Sequence, residues 1–268
     1  MQKLAAFDLE IARTMEEGDF DWKAKRPLGI TCAQIIASGP DMPGDQWDVR
    51  WYGEPKLTAD ECKSIVQEMQ WMTKEGYLIV TVNGIGFDFD ILAEESGMWA
   101  ECADLALHHH CDLMMMSVCE LGWRTGLDAF AKGAGVESKL KSVTLADGRI
   151  LEGMDGGKAP ELWAAGECEA VLAYLAQDVR STLETAETAV LRKRLEWRSS
   201  KGKLWRVGLT DGRLPTVMEC LGWPRPNVSW MDDPPEPFEI CEWALEAENA
   251  AAFEEYVRSM AKEDGRNG

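Results

Sequence analysis

Two carboxylates near the start of the chain have a spacing that could serve metal chemistry. Asp8 and Glu10 lie two residues apart in the otherwise apolar run at residues 4–11. Because side chains in a β-strand alternate between its two faces, a strand here would place both carboxylates on the same face. Burying two like charges together is costly unless a cation neutralises them. The segment therefore predicts half of a divalent metal site.

A second group of polar residues follows an apolar run in the middle of the chain. Residues 77–82 are typical of a buried central strand, and residues 83–88, Asn-Gly-Ile-Gly-Phe-Asp, come directly after it. Ligand sites in α/β sheets lie at the carboxyl ends of strands, so Asp88 is a candidate metal ligand. Two alternatives stay open: Asp88 only caps the next helix, or Asp90 is the ligand in its place.

A tyrosine and an aspartate share one face of a long predicted helix. The periodicity of apolar residues predicts a helix from about Glu167 to Arg198, and within it Tyr174 and Asp178 lie four residues apart. That spacing puts the two side chains one turn from each other. The alternative is an ordinary surface pair.

With these three motifs in order, the chain resembles the DEDD 3'-5' exonucleases of the ribonuclease H-like superfamily, in the branch that includes the proofreading domains of family B DNA polymerases. The likeness spans roughly residues 3 to 190. Two branches of the superfamily differ in the residue before the last aspartate, which is a His five positions earlier or a Tyr four positions earlier. Tyr174 lies four before Asp178, and the position five before is Ala173. The chain is therefore similar to the tyrosine branch, DEDDy.

The resemblance implies a fold and a cofactor. The fold would be an α/β ribonuclease H-like mixed sheet, antiparallel in its first three strands and then parallel, flanked by helices. The cofactor would be two Mg²⁺ or Mn²⁺ ions, which prefer oxygen ligands. Asp8 would bridge both metals, Glu10 and Asp178 would complete the first, and Asp88 would hold the second, mostly through water.

The resemblance also implies roles for three residues that are not metal ligands. Tyr174 would orient or help to activate the attacking water, although the high pKa of a phenol favours hydrogen bonding over full general base action. Asn83 and Phe87 would border the groove and contact the last nucleotides. The partner would be the 3' end of a single-stranded or frayed DNA or RNA.

The rest of the sequence predicts the elements that position these residues. Three strands in meander order are expected between residues 3 and 53, then a helix capped at Thr58. Two helical pieces are expected in 112–134 and a hairpin or long loop in 139–160. Residues 1–198 would form the exonuclease domain and residues 199–262 a C-terminal extension packed on it, ending in an acidic helix at about 239–260. Residues 263–268 would be a disordered tail.

Composition limits the function classes. The net charge of −19 argues against a protein that coats duplex DNA by long-range attraction. Residues 192–213 carry eight basic and two acidic side chains, a local balance of +6, and are either a strand contact or a solvated basic hairpin. The twelve tryptophans are either stacking platforms or, more commonly, core anchors.

No Cys or His spacing suits zinc, and the run His108 to His110 is a weak candidate for a soft metal. No apolar run approaches the length of about 18 residues that a membrane helix needs, and the N-terminus lacks a signal-peptide pattern. A soluble cytoplasmic protein with no membrane partner is expected. Alternatives to the exonuclease are an endonuclease on the same fold and a binding module without turnover, and the C-terminal extension is a candidate docking surface for a protein partner.

Overall fold

The centre of the fold is a five-stranded sheet with the strand order β3-β2-β1-β4-β5. The computed structural model describes residues 2–15, 21–38 and 47–252. The antiparallel strands β1, β2 and β3 form the predicted meander, and β4 and β5 continue the sheet parallel to β1. The mixed α/β sheet expected of a ribonuclease H-like fold is confirmed. The strands are β1 (Lys3–Ile11), β2 (Ile30–Ser38), β3 (Trp47–Tyr52), β4 (Tyr77–Thr81) and β5 (His110–Asp112).

The burial of each strand agrees with its place in the sheet and with its sequence. All five residues of β4 are buried, as expected for an apolar strand covered on both faces, whereas the edge strand β3 has none that is fully buried. Helices cover the sheet, with α7 packed on β1 and β2, and α1 packed on β4. The helices are α1 (Ala59–Lys74), α2 (Asp88–Ser96), α3 (Trp99–His108), α4 (Leu113–Leu121), α5 (Leu127–Ala134), α6 (Ala159–Ala164) and α7 (Cys168–Arg192).

Several sequence predictions hold in detail. Helix α1 begins after Thr58 with the predicted capping box, in which Thr58 and Glu61 satisfy each other's backbone N–H groups. The two helical pieces within 112–134 are α4 and α5, and the hairpin within 139–160 is formed by β6 (Ser142–Thr144) and β7 (Ile150–Glu152). Helix α3 and the short strand β5 were not predicted.

The predicted end of the long helix at Arg198 is wrong. Helix α7 ends at Arg192, because Lys193 adopts a left-handed conformation (φ 55°) and the chain turns into β8 (Arg194–Arg198), which pairs with β9 (Leu204–Gly208). Leu195 and Trp197 are both buried, and a spacing of two is strand periodicity. Tertiary packing of these two side chains, including an edge-to-face contact of Trp197 with Phe130, outweighs the helix propensity of the charged residues around them.

The part of the C-terminal extension that the structure describes contacts helices α3 and α4 and strand β5. It contains α8 (Val217–Leu221), a proline-rich segment, α9 (Pro237–Ile240) and a helical stretch at 242–252. The Trp243 indole donates a hydrogen bond of 2.8 Å to the carbonyl of Ile85. The expected acidic helix is observed as far as residue 252, and the expected disordered tail at 263–268 lies outside the described residues. The division at residue 198 stays a prediction, and it falls between the strands of the β8-β9 hairpin. Within the described residues, no helix has the length and apolar character to cross a membrane.

Candidate active site

A pocket of about 480 Å³ opens beside the carboxyl ends of β1 and β4. Its walls come from β1, the loop after β4, the start of α2, α7 and the loops around residues 126, 139 and 156. The seven residues that the resemblance assigns to the site all line this pocket: Asp8, Glu10, Asn83, Phe87, Asp88, Tyr174 and Asp178.

Strand β1 brings its two carboxylates to the end of β4. In the parallel pair, Ala6 lies opposite Val80, so Asp8 is level with the first residues beyond β4. Asp8 and Glu10 project to the same face, where Asp8 is partly accessible through the pocket and Glu10 is buried. The loop after β4 therefore meets Asp8 directly.

That loop is a tight turn that depends on glycine and on a left-handed asparagine. Asn83 has φ 74°, and the N–H of Gly84 donates to Thr81 Oγ1 at 2.9 Å. A Cβ on Gly84 would lie 2.2 Å from the same oxygen, so only glycine fits. The turn leads to Phe87 and Asp88, which both line the pocket.

A buried carboxylate that the sequence analysis missed holds this turn in place. Asp112, at the end of β5, accepts hydrogen bonds from the N–H groups of Asn83 (3.0 Å) and Ile85 (3.1 Å). It also accepts from Met114 (2.8 Å) and Met115 (3.1 Å) and so caps α4. The rule that sites follow strand ends would have found Asp112, had β5 been recognised.

Asp88 and Asp90 have different positions and partners. Asp88 is the first residue of α2 and lines the pocket, and the N-cap position is taken by Phe87 without a side-chain cap. Asp88 shares a hydrogen bond with Asp8. Asp90 does not line this pocket; it is buried in an ion pair with Arg26. The Arg26 guanidinium lies 4.9 Å from the centre of the Trp22 ring, and that ring meets Phe87 edge-to-face at 5.1 Å.

Helix α7 contributes Tyr174 and Asp178, both buried rather than on the surface. A lysine that sequence reasoning missed lies against them. Lys139 Nζ is 2.7 Å from Asp178 Oδ2 and donates to the Tyr174 hydroxyl at 3.0 Å. No local pattern marks Lys139, because its partners are far along the chain and only the tertiary fold brings them together.

The carboxyl groups of the pocket hold protons more tightly than usual. Burial, followed by repulsion from Asp8 and other carboxylates, raises the pKa of Glu10 and of Asp88 well above the usual range. Burial and the Asp8 charge raise the pKa of Asp178 to about 7, although Lys139 opposes the shift. The pKa of Asp8 is also raised, chiefly by burial, although Lys139 and the hydrogen bond from Asp88 oppose the shift. In the absence of a cation, bound protons and the Lys139 ammonium group therefore offset the negative charge of this cluster.

The half-buried Lys139 and the buried Tyr174 both stay protonated. Burial alone would lower the pKa of Lys139, but the Asp178, Tyr174 and Asp8 groups around it raise the pKa above its usual value. Burial and the Asp178 charge raise the pKa of Tyr174. The pocket thus contains a fixed ammonium and a neutral phenol beside its carboxylates.

Within residues 2–15, 21–38 and 47–252, no three His, Cys, Asp or Glu side chains are gathered closely enough to hold a metal ion as they stand. The histidine run is no exception, since His110 is buried with its ring bonded to Thr81 Oγ1 (2.8 Å) and the Ala106 carbonyl (3.1 Å). The oxygen donors of the pocket still fit a hard divalent cation in type. Asp178 Oδ1 is buried and has no hydrogen-bond partner in the described structure, so one donor oxygen is available.

Comparisons with known proteins give a similarity of fold only. No protein-family model matches the sequence, and no curated protein matches it. Similar solved structures include exonucleases I. A complex of E. coli exonuclease I with a dT13 oligonucleotide has a TM-score of 0.38 and 12% identity, covering 72% of this chain and 42% of that chain. Exonuclease I from Methylocaldum szegediense has a TM-score of 0.32 and 12% identity, covering 72% and 41%. This chain thus matches about two fifths of the length of these proteins.

Proposed function

We propose that this chain is a metal-dependent 3'-5' exonuclease that hydrolyses phosphodiesters from the 3' end of single-stranded or frayed DNA or RNA. The observation that carries the proposal is the meeting of four acidic side chains and a tyrosine in one pocket, although they come from three distant parts of the sequence. Buried like charges are costly, and a cation-dependent reaction gives a physical reason for them.

The metals of the proposal are two Mg²⁺ or Mn²⁺ ions, held by Asp8, Glu10, Asp88 and Asp178. The support is an all-oxygen donor set and the unpartnered Asp178 Oδ1. Bound there, such ions neutralise charge on the phosphate and make a bound water easier to deprotonate. Because Lys139 already pairs with Asp178, a cation must compete with its ammonium group for this carboxylate.

Tyr174 acts in this proposal as a hydrogen-bond donor. Its raised pKa keeps the phenol protonated at neutral pH, so it can orient a water or a phosphate oxygen but cannot accept a proton as a general base. Lys139 Nζ donates a hydrogen bond of 3.0 Å to the phenol oxygen, and this contact restricts the orientation of the Tyr174 hydroxyl. Phe87 and Asn83 border the pocket and would contact the terminal nucleotide.

A comparison of linear and circular substrates tests the proposal against the endonuclease alternative. The protein is incubated with Mg²⁺ or Mn²⁺ and a linear single strand, the same strand blocked by a 3'-phosphate, or a circular single strand. The expected result is degradation of the unblocked linear strand alone. Cleavage of the circle would establish an endonuclease, and binding without any metal-dependent product would leave a binding module.

A further inference from the structure

A second pocket, of about 530 Å³, adjoins the candidate active site. The two pockets share Trp22 and Asn83 in their walls, so the path from one to the other crosses these side chains. The floor of the second pocket comes from the sheet domain, whereas one wall is formed by residues 231–240 of the C-terminal extension. Its size is in the usual range for a small-molecule site, about 300–1,000 Å³.

Two indole rings line this pocket, and neighbouring groups hold both in place. Trp22 is fixed between Arg26 and Phe87, as described above. Trp123 meets Trp205 edge-to-face at 5.0 Å and Trp230 at 6.2 Å. Trp22 and Trp123 are both only half-buried, so part of each ring is accessible. Rigid, partly exposed aromatic faces are the platforms on which proteins stack nucleobases without regard to sequence.

The charges of the second pocket come from two parts of the chain. Lys23 and Arg124 are exposed and directly follow Trp22 and Trp123 in the sequence, and Lys23 Nζ lies 5.8 Å from the centre of the Trp22 ring. Arg124 makes no ion pair with any described residue. Asp233, Glu236 and Glu239 stand on the wall from the extension. A strand whose phosphates pair with these two cations can stack its bases on the neighbouring rings. The three acidic side chains of the extension repel any further phosphates, which favours single-stranded over the more highly charged duplex nucleic acid.

We propose that this second pocket binds the nucleotides that precede the 3' end of a single strand, with bases stacked on Trp22 and Trp123 and phosphates held by Lys23 and Arg124. The C-terminal extension is then one wall of the substrate channel. The inference rests on the proposed exonuclease function, because the polarity of the strand is set by the catalytic pocket. The inference adds to that function a binding subsite for the nucleotides upstream of the one that is removed.

The test compares a one-nucleotide substrate with an oligonucleotide. The p-nitrophenyl ester of thymidine 5'-monophosphate presents a single nucleotide and reaches only the first pocket, whereas an oligothymidylate of about eight nucleotides reaches both. The variants are Arg124→Ala and Lys23→Ala, whose side chains are exposed, and Trp123→Leu. Lys63→Ala, an exposed lysine on α1, is the matched control.

The expected result is a KM for the oligonucleotide that rises about five-fold or more in each pocket variant, with unchanged hydrolysis of the ester. The control should match the unaltered protein with both substrates. Equal losses with both substrates, or no loss with the oligonucleotide, would overturn the subsite. The two charge variants keep the test valid if Trp123→Leu fails to fold.

The same experiment distinguishes failure of the proposed exonuclease function from failure of the proposed subsite. If the unaltered protein hydrolyses neither substrate, the exonuclease assignment fails, and binding is then measured by fluorescence anisotropy of the labelled oligothymidylate. Weaker binding by Arg124→Ala than by Lys63→Ala would support a single-strand site in the second pocket. Equal binding by the two variants would overturn it.

Discussion

The ammonium of Lys139 lies 2.7 Å from the carboxylate of Asp178, inside the cluster of acidic side chains that the sequence assigns to metal binding. The protein thus provides one positive charge of its own at that cluster. A divalent cation that uses Asp178 must displace or weaken this ion pair, so cation affinity and Lys139 are coupled.

Replacing this lysine should strengthen cation binding. We expect Lys139→Met to lower the Mg²⁺ or Mn²⁺ concentration at half-maximal thermal stabilisation about five-fold or more, equivalent to about 1 kcal/mol, because a competing charge is removed. Titration of the unfolding temperature with each metal measures it. Lys141→Met is the control, since Lys141 is exposed and pairs with Asp128 instead. Unchanged or weaker binding in Lys139→Met would contradict the competition.

Without divalent cations, stability should fall as pH rises. The pocket carboxyls have raised pKa values in the folded protein, about 7 for Asp178, and pKa values near 4 when unfolded. Between about pH 4 and pH 7 the folded state therefore binds more protons, and the stability present at low pH is lost as pH rises through this window. Denaturation midpoints at about pH 5.5 and pH 8 in chelator measure the effect.

A variant separates this local effect from the general repulsion of an acidic protein. Asp178→Asn removes one titrating group, so its stability should depend less steeply on pH than that of Glu169→Gln, an exposed position on the same helix. Identical pH dependence in the two variants would show that the pocket does not contribute.

Removal of the Asp112 carboxylate, which holds the loop after β4, should destabilise the fold and abolish the proposed nuclease activity. Asp112→Ala leaves four backbone N–H groups without their acceptor, two in the loop after β4 and two at the start of α4. We expect a loss of about 2–4 kcal/mol in the free energy of unfolding. Asp104→Ala, at an exposed position on α3, should change it by less than about 0.5 kcal/mol in the same urea denaturation. Equal losses of unfolding free energy in the two variants would show that the hydrogen bonds of Asp112 do not stabilise the loop after β4.

The turn after β4 should reject any side chain at Gly84. The Cβ of Gly84→Ala would lie 2.2 Å from Thr81 Oγ1 in a buried position, and we expect a cost of about 1–3 kcal/mol from the forced shift. Gly208→Ala is the matched control, since nothing lies within 4 Å of its Cβ position. Calorimetric unfolding of both variants measures the difference in stability. A Gly84→Ala protein as stable as the control would show that the turn accommodates a Cβ without cost.

The sequence predicts those parts of the fold in which local pattern and tertiary packing agree. Strand β4 is predictable because five consecutive buried positions are all suited to a strand, and α1 because Thr58 and Glu61 form a recognisable cap. The end of α7 was mispredicted because the residues around Leu195 and Trp197 are charged and helix-compatible, and only their burial in the hairpin makes them a strand. Strand β5, with three residues, is too short to carry a periodic signal.

The candidate site also contains residues that local sequence pattern predicts and residues that only the tertiary fold brings together. Asp8 and Glu10 could be found because two carboxylates in an apolar strand conflict with local expectation, and such conflicts mark functional positions. The sequence alone could not show that Asp88 lines the pocket whereas Asp90 pairs with Arg26, because the position of Arg26 depends on the tertiary fold. Lys139 comes from a loop and Trp22 from a single 3₁₀ turn (Trp22–Lys25), and no local periodicity links them to the pocket that they line.

The most direct test of the central claim is the degradation of a 5'-labelled single-stranded DNA and its RNA counterpart with Mg²⁺ or Mn²⁺. The unaltered chain is compared with the double variant Asp8→Ala/Glu10→Ala, and Glu169→Gln serves as the folded control. The account predicts a ladder that shortens from the 3' end, is lost in the double variant and is kept in the control. Absence of any metal-dependent ladder on either strand, from protein shown to be folded, would contradict the exonuclease assignment.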